Sequence, residues 1–149
     1  MKQKILSFVY NRKTKKFLLL DMTKHPDHAP NGGRFTVTGG IEKSESPERA
    51  VEREIKEETG LDAEEIFSLN WGSVYNWKGE EFKEMNFITF VESEEVILNE
   101  EHSKYEWLGL DGFIKNIDWD DDKKLLNKVL EKAIKKEVYF DKREREQPN

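Results

Sequence analysis

Glu54, Glu57 and Glu58 occur at i, i+3 and i+4 in the run "PERAVEREIKEET", a spacing that brings three carboxylates onto one face of a helix. Like charges so placed repel by roughly a few tenths of a kcal/mol per pair, so the pattern weakens a helix unless something positive lies among them. Two readings stand. One is a solvated acidic face, ion-paired to Arg49, Arg53 and Lys56. The other is a cation site, for which hard oxygen ligands at this density suit Mg²⁺ or Mn²⁺, ions that take one or two carboxylates and complete their shells with water and phosphate oxygens. The surrounding stretch, Gly39 to Leu61, carries seven glutamates in 23 residues.

The helix has readable ends: Ser46 is a suitable N-cap, Pro47 suits the first helical position, and Gly60 falls where a left-handed C-terminal cap belongs. The spacing therefore predicts a helix over Pro47 to Thr59. Before it, "FTVT" reads as a β-branched strand running into Gly39-Gly40. Gly39, Glu45 after five residues, Arg53-Glu54 after seven more, then Ile55, Glu57-Glu58, Gly60 and Leu61 form a pattern that resembles the Nudix box at all nine fixed positions. Chance would produce such a match roughly once in 10⁸ starting positions. The resemblance implies an α/β fold, the α/β/α sandwich with a mixed β-sheet between helices. It implies Glu54, Glu57 and Glu58 as metal ligands, with a carbonyl from Gly39 or Gly40. It also implies hydrolysis of a nucleoside diphosphate linked to another moiety, with water displacing one phosphoryl group of a pyrophosphate. Arg53 is expected to pair with Glu45 and steady the helix against the loop, a structural part rather than a chemical one.

A second stretch, "NEEHSKYEWLGL", is similar to sequences that follow the box in two Nudix groups, the dihydroneopterin-triphosphate or deoxyadenosine-triphosphate diphosphatases and the diadenosine-tetraphosphate hydrolases. Glu101-His102, Tyr105 and Trp107-Leu108 carry that similarity. It implies Glu101 as metal ligand or general base, with Tyr105 and Trp107 expected in the core. "FTVTGGIE" resembles the Val-Thr-Gly entry of the first group, except that the Trp found four residues before this Thr is Arg34 here. Arg34 and Phe35 are thus candidate substrate contacts, Arg34 for a phosphate (or else an exposed loop cation) and Phe35 for the missing ring. The likeness is close over Thr36 to Leu61 and looser elsewhere. Alternative functions are diadenosine-polyphosphate hydrolysis, RNA 5'-pyrophosphate hydrolysis, and nucleotide binding without hydrolysis, the last expected to have lost a metal carboxylate.

The remaining sequence must supply the frame. "KILSFVYN" and "KFLLLDM" predict a hairpin around Asn11 to Lys16, and "EIFSLNWGSVYNW" with "EFKEMNFITFVES" a second antiparallel hairpin around Lys78-Gly79-Glu80. "KYEWLGL" is a further strand. Asp111 is expected to cap a short helix, and Asp120 to Glu137 an amphipathic one with Leu125, Leu126, Val129, Leu130, Ala133 and Ile134 inward. The Pro- and Gly-rich "TKHPDHAPNGGR", with His25 and His28, is a candidate binding loop. Trp71, Tyr75 and Trp77 alternate on one strand, as suits core packing, a stacked purine or a homodimer surface. Residues 1–140 form one domain, and 141–149 a charged, flexible tail.

At 149 residues the chain is one domain in size, and nine Phe, four Trp and four Tyr provide core material although 38% of residues are charged and the mean hydropathy is -0.86. The net charge of -6 argues against a long nucleic acid as partner and for a small nucleotide or nucleotide-like substrate that arrives with divalent metal. No run reaches the 18 or so apolar residues of a membrane span, and the N-terminal apolar stretch is too short for a signal peptide. The expected compartment is the cytoplasm, without a membrane partner. The absence of Cys excludes disulfides, thiolate zinc sites and a Cys nucleophile.

Overall fold

Ile5 to Tyr10 is an unbroken apolar run but for Ser7, and such a run buries both of its faces when it forms an interior strand. In the computed structural model, which describes residues 1–22 and 33–138, it lies within β1 (Lys2–Asn11). β1 runs parallel to β6 (Glu80–Val91), in register from Lys2 opposite Phe82 to Asn11 opposite Val91. β5 (Glu65–Trp77) lies antiparallel to β6 at the sheet edge, which gives the expected second hairpin.

The first hairpin is present but forked. β2 (Lys16–Met22) meets β1 only beside the turn, where Tyr10 faces Phe17 and Asn11 faces Lys16. Beyond that point β3 (Gly33–Phe35) pairs with β2, while β4 (Val37–Gly40) pairs with β1. The strand expected as the single run "FTVT" is therefore two strands broken at Thr36, because its halves serve different partners. The Thr36 hydroxyl donates to the Ser7 carbonyl at 2.7 Å and fixes the crossing. β7 (His102–Leu108) completes the mixed seven-stranded sheet on β2.

α1 (Pro47–Thr59) has the predicted bounds, with the Ser46 side chain accepting from the Arg49 amide at 3.2 Å and Gly60 in the left-handed region at φ 73°. Its Ala50, Val51 and Ile55 pack on Ile5, Val9, Leu18, Leu20 and Val37. α2 (Leu110–Asn116) and α3 (Lys123–Ile134) cover the opposite face, where Phe113, Leu126 and Leu130 meet Leu6, Phe8 and Phe17. This is the α/β/α sandwich. Two helix starts differ from expectation. Gly109, not Asp111, is the N-cap of α2, since β7 runs to Leu108 and leaves no residue for a side-chain cap; Asp111 lies in the first turn, where its charge still favours the dipole. α3 begins at Lys123 rather than Asp120 because the Asp122 carboxylate accepts the amides of Lys124 and Leu125. The binding-loop reading of His25 and His28 and the tail reading of 141–149 lie outside the described residues.

Candidate functional site

The loop from β4 into α1 is organised around one guanidinium. Arg53 Nε and Nη2 donate to the two Glu45 oxygens at 2.8 and 3.0 Å, Nη1 donates to Glu54 at 2.8 Å and to Glu57 at 3.3 Å, and Nη2 also donates to the Gly40 carbonyl at 2.9 Å. Hydrogen bonding to Arg53, then to the backbone of Glu42, holds the Glu45 carboxyl down to about 2. Arg53 and Glu45 are thus paired through two hydrogen bonds. Gly39 faces Glu54 so closely that a Cβ there would fall inside the Glu54 carboxyl group.

One turn on, the charges are arranged differently. The Glu58 side chain is 3% exposed, and no Lys or Arg among the described residues pairs with it; His102 Nε2 lies 3.5 Å from Glu58 Oε1. Glu58 Oε2 has no donor among the described residues. Burial first, then a hydrogen bond shared with Glu54 and the charges of Glu54, Glu101 and Glu57, raise the Glu58 pKa, while burial raises that of Glu54 against the pull of Arg53. Glu58, Glu101 and His102 each offer a ligand atom, all within 4.8 Å of one another. A buried acid held neutral for want of a positive charge is a chemically fitting ligand for a dication.

α1 and the turn before β7 therefore bring Glu54, Glu58 and Glu101 into one cluster. Glu57 is the outward member, with a side chain 56% exposed. The other two candidates are held elsewhere. Arg34 is bound by Asp21 at 3.0 Å, Glu106 at 2.7 Å and Asn116 at 3.3 Å, so its guanidinium ties β2, β3, β7 and α2 together and is not the exposed loop cation of the alternative reading. The Phe35 ring lies nearly parallel to that of Trp119, centroids 5.9 Å apart, and Trp71 approaches the same Trp119 at 5.8 Å. Trp107 packs at the margin of the core and donates to the Glu94 carbonyl, whereas Tyr105, expected inside, is 43% exposed because β7 turns that face to solvent.

The NUDIX domain model matches residues 2–129, most of the chain. The chain belongs to the Nudix family. NAD-capped RNA hydrolase NudC of Haemophilus influenzae is 32% identical over 102 residues, which are 67% of this chain and 37% of the relative, so the chain spans little more than a third of that protein's length. Among solved structures, a C. elegans Ap4A hydrolase binary complex superposes with a TM-score of 0.68 at 23% identity, covering 86% of this chain and 94% of the other. The E. coli dihydroneopterin triphosphate pyrophosphohydrolase gives 0.66 at 20% identity, covering 85% and 92%. These likenesses establish the Nudix fold. Within it, the residue to which the sequence assigns no role is His102, since a lone buried imidazole carries no spacing signal of its own. No helix among the described residues is long and apolar enough to cross a membrane.

Proposed function

We propose that this Nudix chain hydrolyses a pyrophosphate bond in a nucleoside triphosphate or related nucleoside-diphosphate-linked small molecule, with Mg²⁺ or Mn²⁺ as cofactor. The observation that carries the reading is the acidic cluster itself: a complete box whose Glu58 is buried against Glu54 and Glu101, with no compensating guanidinium or ammonium among the described residues. Glu54, Glu57, Glu58 and Glu101 would hold the metal together with the Gly39 carbonyl, since the Gly40 carbonyl already accepts from Arg53. When bound, the metal neutralises phosphate oxygens and lowers the pKa of the attacking water. Arg53 keeps the Glu45 loop on α1 and so fixes where Glu54 points. Glu101, at the start of β7 and opposite Glu58, is the candidate to take the proton of the water. Phe35, backed by Trp119, offers an aromatic face to a base; Arg34 serves as scaffold beside it.

The activity of the Haemophilus influenzae relative, an NAD-capped RNA hydrolase, supports a second reading, hydrolysis of a dinucleotide cap on RNA. The net charge of -6 weighs toward the free small molecule. One assay decides between them: nucleoside triphosphates, diadenosine tetraphosphate, free NAD, NAD-capped RNA and a pterin triphosphate, each with Mg²⁺ or Mn²⁺. Turnover of a small substrate to a monophosphate product, abolished by chelator, is expected. Turnover of capped RNA alone would give the second reading, and no turnover of any substrate above a Glu58→Gln control would end both.

A further inference from the structure

The proton on His102 can be placed from its neighbours. Asn99 Oδ1 accepts from the Glu101 amide at 3.2 Å, and the same oxygen lies 3.1 Å from His102 Nδ1. A backbone amide only donates, so the Asn99 atom is an acceptor and Nδ1 must carry the hydrogen between them. In the neutral ring Nε2 then presents its lone pair, and that lone pair faces Glu58 Oε1 across 3.5 Å. Both side chains are nearly sealed, 2% and 3% exposed, and the separation is long for a hydrogen bond. An imidazole nitrogen and a carboxyl oxygen enclosed side by side, with Glu58 Oε2 lacking a partner among the described residues and a Glu101 oxygen within 4.8 Å, are a built set of ligands for a cation.

We infer that His102 Nε2 is a direct ligand in this centre, which makes it a mixed nitrogen and oxygen site selecting a transition-metal dication over Mg²⁺. This deepens the hydrolase reading and rests on its placing a metal at Glu58. The second partner of the ring fits the assignment: a ligating imidazole nearly always donates its other N–H to a carbonyl or carboxylate, and Asn99 Oδ1 does that here. The same Asn99 oxygen orients the Glu101 amide, so one side chain aims the nitrogen and an oxygen ligand together. Carboxylates alone suit Mg²⁺, whereas an imidazole favours the transition metals.

Mn²⁺ bound to the whole chain and observed by pulsed electron paramagnetic resonance tests this without any turnover. Coupling to a ¹⁴N nucleus is expected, changing to ¹⁵N when the protein is made with ¹⁵N-imidazole histidine. The chain has three His, so the coupling must persist in the His25→Gln/His28→Gln double variant, where His102 is the one imidazole left. In His102→Gln the coupling should vanish, with Mn²⁺ affinity by calorimetry falling about tenfold and Mg²⁺ affinity nearly unchanged. Should His102→Gln not fold, the double variant decides alone. Mn²⁺ bound without nitrogen coupling, or coupling lost in the double variant, would overturn the inference and leave the hydrolase reading standing. Failure of the protein to bind Mn²⁺ at all would remove the metal centre on which both rest.

Discussion

The glutamates of α1 and of the loop that leads into it fall into two groups with opposite electrostatic surroundings. At Arg53, Glu45 is gripped by two hydrogen bonds and its pKa is depressed to about 2, and Glu57 shares the same guanidinium. At Glu58, burial and neighbouring carboxylates push the pKa up, and burial lowers the pKa of the facing His102. Glu54 belongs to both, bonded to Arg53 on one side and to Glu58 on the other. Residue type is the same throughout; what differs is the surroundings, with Arg53 holding Glu45 and reaching Glu54 and Glu57, and burial beside other carboxylates setting Glu58 apart.

The strongest way to break this division is Glu58→Gln. If Glu58 is a ligand, turnover should drop by about 10³ or more, the upper range for loss of a group acting directly on reaction. The metal-free protein should instead gain stability, because the substitution removes a buried acid from beside Glu54 and Glu101. Glu57→Gln should also lower turnover by orders of magnitude while leaving metal-free stability unchanged, since Glu57 is exposed. Calorimetry in chelator, set beside kcat at saturating Mg²⁺ and Mn²⁺, reads both. Normal turnover in Glu58→Gln would place Glu58 among the scaffold residues.

Next in size is Glu101→Gln, expected to reduce kcat at least about a hundredfold with little change in KM, as loss of a general base or cluster member would. Glu100→Gln, one residue away and absent from the cluster, should be close to neutral. Equal effects at the two positions would detach Glu101 from the site.

Much of this contrast could be read in the sequence, and its limits have physical reasons. The bounds of α1 followed from Ser46, Pro47 and Gly60 because capping is local chemistry. The break at Thr36 was hidden because it depends on β1 and β2 parting, a fact of long-range pairing. Arg34 looked available to a phosphate because Asp21, Glu106 and Asn116 are distant in sequence and converge only when β2, β3, β7 and α2 assemble. For the same reason the acidic face could be counted but not divided: Arg53 is on α1, whereas Glu101 and His102 arrive from the turn into β7.

On the scaffold side, Arg53→Met should destabilise the fold by about 2–3 kcal/mol, the scale of lost hydrogen bonds between charged groups. It leaves Glu45 without its paired donors and Glu54 without a counter-charge. Arg53→Lys should recover only part, because an ammonium cannot reproduce the two parallel bonds to Glu45. Urea denaturation measures both, and a full rescue by Lys would show that charge, not the forked geometry, holds the loop.

The smallest effect, and the one that weighs the two groups together, is the pH dependence of the metal-free protein. Glu58 ionises near 4.5 when unexposed to its native neighbours and at a higher pH when folded, so between those values the native chain holds a proton that the unfolded chain has lost. Stability therefore falls as pH rises above the ordinary carboxylate range, by up to about 1.4 kcal/mol per pH unit for a single proton. Glu45 acts in the reverse sense: its contribution is present above 4.5 and is lost as pH falls toward about 2. The thermal midpoint in chelator should consequently peak near the crossover of the two and decline on its alkaline side. Glu58→Gln removes the titrating group and should flatten that decline between pH 5 and 8, and so should Mn²⁺, whose binding displaces the Glu58 proton. Glu45→Gln should instead weaken the acid limb and leave the alkaline slope as it was. Parallel alkaline slopes for wild type and Glu58→Gln would mean that Glu58 is already compensated in the folded chain, and the division between the two glutamate groups would fail at its decisive residue.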